Sequence, residues 1–288
     1  MAFAQNDSIG SNRRHPAPRA PGAAPTIYLS RVALRRFPWS IVRRSITPIL
    51  LIAIWQYASL AGWVDPSVLA PPSQVWATFV DLSRTGEILT HVFTSLQRVL
   101  LGLAIGGSVA VVLGVVSGLS RFGEEAIDPP LQMIRAMPSL GTAPLLVIWL
   151  GIDEGVKVGL VAIGVVFPLY INLYKGIRGI DPRFAELARM CGASRRELLS
   201  RVILPGALPS ALVGLRLSLG IAWLSLVIGE GINAQGGIGY LVAQGRNALQ
   251  TDWIILGLVL YAILGLLMEA LVRLLEKRLL PWNRSFLK

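Results

Sequence analysis

The chain has 288 residues, of which 53% are hydrophobic and only 15% charged, and its mean hydropathy is +0.61. A soluble domain carries about 25% charged residues, so the deficit argues against a large aqueous core and for a bilayer as solvent. Lys and Arg outnumber Asp and Glu by 27 to 16, an excess that in so apolar a chain points to basic loops on the cytoplasmic side of a membrane rather than to nucleic acid.

Residues 1–26, "MAFAQNDSIGSNRRHPAPRAPGAAPT", are polar and rich in Pro, Ala, Gly and Arg. They lack the early apolar stretch of a signal peptide and are expected to form a disordered tail. Spanning the hydrocarbon takes about 20 apolar residues, and six segments qualify, near 46–64, 98–119, 131–152, 156–174, 209–229 and 254–275. The third is interrupted by Arg135, Pro138 and Pro144, which predicts a kinked or partly broken helix. The expected fold class is all-α, a polytopic membrane bundle of six helices.

Basic residues orient it. With the N-terminus inside, eight Lys or Arg precede the first span, two lie near the turn between the second and third, seven lie between the fourth and fifth, and five close the chain. That places 22 of the 27 in the cytoplasm, with both termini. Arg84, Arg98, Lys157 and Arg246 fall on the outer side.

Small residues recur every fourth position in two segments: Gly102, Gly106, Ala110, Gly114 and Gly118, then Ser210, Gly214, Ser218 and Ala222. Such stripes let helices approach closely in lipid. They fit either packing within one subunit or a subunit interface that slides.

Between the fourth and fifth segments the chain turns polar. Asp181 suits an N-cap and Pro182 the first helical position, and Gly192 suits the stop. Phe184, Leu187, Ala188 and Cys191 then share one apolar face, with Glu186 and Arg189 turned away from it. Ser194 and Glu197 have the spacing of a capping box and open a second helix, with Leu198, Leu199, Val202 and Ile203 as its apolar stripe and Pro205 as its expected end. Helices this short need a surface to pack on. Either they rest on their own bundle and on lipid headgroups, or they dock a cytoplasmic partner.

The spacing E-A-A, three residues, G, nine residues, I, one residue, L-P is the signature loop of permease subunits in binding-protein-dependent ABC importers. This chain reads Glu186-Leu187-Ala188, Gly192, Val202 and Leu204-Pro205, with Leu187 and Val202 as mild apolar replacements. "GLSRFGEEAIDPPLQMIRAMP", "PLLVIWLGIDEGVKVGLVAIGVVFPLYINLYKGIRGID", "VILPGALPSALVGLRLSLGIAWLSLVIGE" and "GIGYL" resemble the nitrate, sulfonate and taurine group of these permeases, and most of all the aliphatic sulfonate permeases. The resemblance covers roughly residues 45–285.

It implies a type I (MetI-like) importer permease in the bacterial inner membrane, one half of a homodimer, surrounded by lipid. Two cytoplasmic ABC ATPase subunits would seat on Glu186, Leu187, Ala188, Gly192, Ala193, Val202, Leu204 and Pro205. A periplasmic binding protein would deliver an alkanesulfonate, or else taurine, nitrate or another small organic anion. ATP and Mg would belong to the ATPase. The expected division is a disordered cytoplasmic tail at 1–30, a first transmembrane helix and outer loop at 31–90, the permease domain at 91–276 and a C-terminal cytoplasmic tail at 277–288.

No G-x-x-x-x-G-K-[ST] phosphate loop occurs in the chain, so ATP hydrolysis is expected from another polypeptide. Cys191 is the only cysteine, and His15 and His91 are the only histidines. No metal site is expected, nor any catalytic residue, since the six segments supply neither paired aspartates nor a Ser–His pair. Nothing points to nucleic acid as a partner. A channel or structural membrane protein without an ATPase is the remaining alternative.

Two charges are expected along the pathway or at a gate. Arg216, seven residues into the fifth segment, either snorkels to the cytoplasm or lines the inner vestibule and meets an anion. Glu230, near the outer mouth, would repel an anion and so is expected to shape the following "GEGINAQGGIGYL" loop. Glu269 is expected near the inner surface or paired. Arg98, Lys157 and Arg246 are further candidates for an electropositive entrance.

Overall fold

In hydrocarbon every backbone N–H must pair within its own segment, which leaves helix as the simplest spanning structure. The computed structural model describes residues 39–137 and 139–281, and their regular structure is helical throughout: α1 (Trp39–Leu60), α2 (Pro72–Arg84), α3 (Glu87–Leu119), α4 (Arg121–Ala136), α5 (Ser139–Leu150), α6 (Glu154–Arg178), α7 (Pro182–Met190), α8 (Arg195–Leu198), a π-turn (Leu199–Ile203), α9 (Leu204–Asn233), α10 (Ile238–Asn247) and α11 (Thr251–Leu279). The chain divides into two units, Met1–Pro48 and Ile49–Lys288. In the first, the described residues are the opening turns of α1; the second holds the rest. The expected tail at 1–30 and residues 282–288 of the expected C-terminal tail lie outside the described residues.

Among the described residues, four helices are long and apolar enough to cross a membrane: α3, α6, the run Arg195–Ile232 that ends within α9, and α11. A fifth span results if α4 and α5, joined at a sharp bend, count as one. The first expected segment corresponds to the shorter apolar stretch Ile46–Leu60 of α1. By length and composition the described residues therefore hold four such helices, or five with the α4–α5 pair counted as one, against the six segments expected. The third segment accounts for part of this. Its chain leaves the helical region at Met137 (ψ 130°), as the residue before a proline tends to do.

α6 is the centre of the second unit, with α3 on one side and α9 on another, and both small-residue stripes face it. A Cβ added at Gly106 would lie 2.3 Å from the Ala162 carbonyl oxygen, and one at Gly118 would lie 2.8 Å from Ile177. On the α9 side, a Cβ at Gly214 would lie 2.8 Å from that of Asn172, and Ser218 Oγ donates to the Val165 carbonyl at 3.1 Å. Of the two readings of these stripes, packing within one subunit is the one this geometry realises.

Proline placement departs from expectation at Pro205. It does not end the second helix of the polar insert; it sits in the first turn of α9, and the insert runs into the fifth span without a break. A proline in a helix loses one N–H and crowds the carbonyl four residues back. The π-turn just before it widens the helix, with Leu204 N–H donating to the Leu199 carbonyl five residues back, and so makes room for the ring.

α2, inside the expected outer loop, is pinned near its start and at its middle. Gln56 and Ser73 exchange hydrogen bonds, and Thr78 Oγ1 donates to Asp252 of α11 at 2.5 Å. In the turn before it, Asp65 accepts from the Ser67 N–H, which holds its carboxyl below the usual carboxylate range.

Candidate functional site

The polar insert is a capped helix pair. The Asp181 carboxylate accepts from Arg183 N–H. At the other end of α7, Gly192 N–H donates to the Arg189 carbonyl and Ala193 N–H to the Ala188 carbonyl. With Gly192 at φ +79°, this is a Schellman stop. The space around Gly192 is open, so an added Cβ would touch nothing within 4 Å; glycine is needed there for its backbone, not for room. Ser194 and Glu197 form both halves of the capping box.

What the caps leave undone is the apolar face. α7 has no buried residue. Phe184, Leu187 and Met190 are 60%, 58% and 86% exposed, and Cys191 is exposed beside them. Glu186 is exposed and forms no ion pair among the described residues. Ala193 and Val202 are half-buried, and Leu204 is exposed. Lys175, Asp181, Phe184, Arg201, Val202 and Pro205 line a groove of about 690 Å³ at the root of the pair.

Arg216 lines a second cavity, of about 400 Å³, between α9 and α11. Its Nη2 donates to Glu276 Oε2 at 2.6 Å. Arg216 Nε, Glu276 Oε1 and the indole Nε1 of Trp223 are buried with no hydrogen-bond partner among the described residues. Leaving a buried donor unpaired costs about 1–3 kcal/mol. Glu269 lines the same cavity and is paired with Arg273.

At the far ends of α6 and α9 lies a closed polar knot. Arg98 grips Glu154 with two bonds of 2.6 Å, and its Nη1 donates to Glu230 at 2.6 Å and to the Gly236 carbonyl at 2.7 Å. Glu230 Oε1 also accepts from Ser95 Oγ at 2.7 Å, and Oε2 accepts from Gly239 N–H at 2.7 Å and Tyr261 OH at 2.6 Å. The acceptor sites of that carboxylate are thereby filled. Lys157 pairs with Glu154 at 2.9 Å.

The knot also opens α10. The first N–H groups of a helix have no partner inside it. Here Gly237, Ile238 and Gly239 donate theirs to His91 Nδ1, Ser95 Oγ and Glu230. A Cβ at Gly237 would lie 2.3 Å from Glu230 Oε1, and one at Gly239 would lie 2.4 Å from Glu230 Cβ. Gly237 and Gly239 of "GGIGYL" make way for the Glu230 side chain.

Residues 110–281 match the family model described as "Binding-protein-dependent transport system inner membrane component". The chain belongs to that family. It is 45% identical over 253 residues to the putative aliphatic sulfonates transport permease protein SsuC of Escherichia coli K12, covering 88% of this chain and 94% of that one. It is 40% identical to the protein of the same name from Bacillus subtilis 168, over 88% and 91% of the two chains. With the E. coli taurine transport system permease protein TauC it shares 33% identity over 81% and 87%. Among solved structures, an amino acid ABC transporter is similar in fold, with a TM-score of 0.57 at 18% identity, over 69% of this chain and 97% of that one.

The permease is thus a multi-pass inner-membrane component of an ABC importer. Several residues of its polar sites carry no local mark in the sequence. Arg98 and Lys157, expected at an open entrance, have side chains only 4% and 5% exposed. The expected loop after Glu230 is mostly the end of α9 and the start of α10. Ser95, Glu154, Trp223, Tyr261 and Glu276 enter these sites through packing alone. One signal was available: an ionisable residue inside an apolar segment pairs by default, and Arg216, set within the fifth segment, pairs with Glu276 just past the end of the sixth.

Proposed function

We propose that this permease forms the membrane pathway of an importer for aliphatic sulfonates, with both termini in the cytoplasm, paired with a second copy and supplied by a periplasmic binding protein. Glu186, Leu187, Ala188, Gly192, Ala193, Val202, Leu204 and Pro205 seat on an ABC ATPase, which holds ATP and Mg and does the hydrolysis. The single observation that carries the docking is the bare face of α7. Its backbone is fully capped while Phe184, Leu187 and Met190 remain exposed, the state of a rigid knob awaiting a groove. The names of relatives at 45% and 40% identity support the substrate.

Arg216 belongs to the pathway in this reading. Glu230, with its acceptor sites filled, holds the outer segment α10 in place and does not meet the solute.

Deleting the gene should abolish growth on an alkanesulfonate as sole sulfur source and leave growth on sulfate intact. Failure on taurine alone, or on nitrate alone, would reject the substrate and keep the importer. A permease that passes solute with no ATPase present would reject the whole reading.

A further inference from the structure

The cavity between α9 and α11 has the chemistry of an anion site, and its assignment to a particular anion rests on the sulfonate reading. Its volume of about 400 Å³ falls within the range of small-molecule sites, about 300–1,000 Å³. Its two arms are donor-only groups. Arg216 reaches Glu276 through a single nitrogen, so its fork is half used, and its Nε is buried without a partner among the described residues. Trp223, 8% exposed, holds its indole N–H buried and equally unpartnered. The carboxylate lining the cavity, that of Glu269, accepts from Arg273 at 3.2 Å and 2.5 Å.

The walls are apolar. Leu219 and Leu224 line the cavity, and Gly220 and Gly265 leave it open, since a Cβ at either would meet nothing within 4 Å.

We propose that this cavity is a station for the sulfonate head of the cargo during its passage. One sulfonate oxygen takes the Trp223 N–H, a second takes the unused side of the Arg216 fork, and the alkyl tail lies along Leu219 and Leu224. A sulfonate is a permanent anion with three acceptor oxygens and no donor, so it complements two donors that no described residue satisfies. It also offers Arg216 a second anionic partner beside Glu276 without moving a proton. An uncharged solute of the same shape leaves the guanidinium with no gain.

The test uses the full-length permease in complex with its ATPase, in nanodiscs, with radiolabelled butanesulfonate in equilibrium dialysis and butanesulfonamide as the uncharged control. Wild type should bind the sulfonate saturably and not the sulfonamide. Trp223→Phe keeps the ring and removes the N–H; its affinity for the sulfonate should fall about tenfold, the scale of one hydrogen bond to a charged group. Arg216→Gln should abolish binding. Because that change strands Glu276, the double variant Arg216→Gln with Glu276→Gln is measured beside it, with a melting curve for each, and it too should lose binding while staying folded. ATP-driven uptake of butanesulfonate into proteoliposomes, with the binding protein present, is measured in parallel. If wild type takes up the sulfonate but does not bind it in dialysis, or if Trp223→Phe and the double variant bind and transport like wild type, the station is wrong and the importer reading stands. If wild type accumulates no sulfonate, the substrate reading falls and takes the station with it.

Discussion

The two ends of the permease treat polarity in opposite ways. At the knot, Glu230 accepts from Ser95, Arg98, Gly239 and Tyr261, and Arg98 is shared between Glu230, Glu154 and the Gly236 carbonyl. Five helices contribute, and little is left for any outside partner. At the helix pair, the caps satisfy the backbone and the apolar side chains stay bare. A buried charge must find its partners within the chain because hydrocarbon offers none. A surface helix can leave its face for another protein. The knot is built to hold itself, and the pair is built to be held.

Breaking the knot should give the largest effect. Glu230→Ala leaves Arg98 buried with one anion gone and orphans the donors of Ser95, Gly239 and Tyr261. Removing one member of a buried pair costs about 3–5 kcal/mol, a large share of a typical stability. The variant should fail to accumulate as folded protein in the membrane, read by solubilisation yield and melting in detergent. Glu230→Gln keeps the shape and two acceptor sites and should lose less. A melting point for Glu230→Ala equal to wild type would show that the knot does not hold this end together.

At the pair, Gly192→Val attacks coupling instead of stability. A β-branched residue at φ +79° costs about 1–2 kcal/mol in the left-handed region, confined to a turn that the bundle does not lean on. The melting curve should match wild type within a degree or two. ATP-driven uptake should collapse while ATP hydrolysis by the assembled complex persists. Normal uptake by this variant would dissolve the distinction between the two ends.

Much of the pair was legible in the sequence, and almost none of the knot was. Asp181, Pro182 and Gly192 delimit α7 within a dozen residues, and the Ser194–Glu197 capping box spans four; capping is a local chemistry, read along the chain. The knot joins residues 95–98, 154–157, 230–239 and 261, whose neighbourhood depends on how α3, α6, α9 and α11 pack. Spacing says nothing of that. The same contrast runs through the fold. Hydropathy located the spans, because apolar length is a local property. It foresaw the kinked or partly broken third segment but missed the π-turn before Pro205, which is a shift in hydrogen-bond register, and the helix α10, whose first N–H groups are held by groups distant in sequence.

The smallest effect comes from the ion pair inside the helix pair itself, and it separates what builds the knob from what merely decorates it. Arg201 lies 3.8 Å from Glu197, and its side chain is 78% exposed. An exposed pair of this kind is worth about 0–1 kcal/mol, so Arg201→Ala should leave both melting and uptake at wild-type values. Ser194→Ala, three residues before Glu197, removes the cap hydroxyl that accepts from Glu197 N–H, and cap loss costs about 0.5–2 kcal/mol. It should loosen α8, read as faster amide exchange there, and lower uptake by a few-fold. If Arg201→Ala proved the more damaging of the two for uptake, the pair would engage its partner through surface charge, and the bare face of α7 would not be the principal contact.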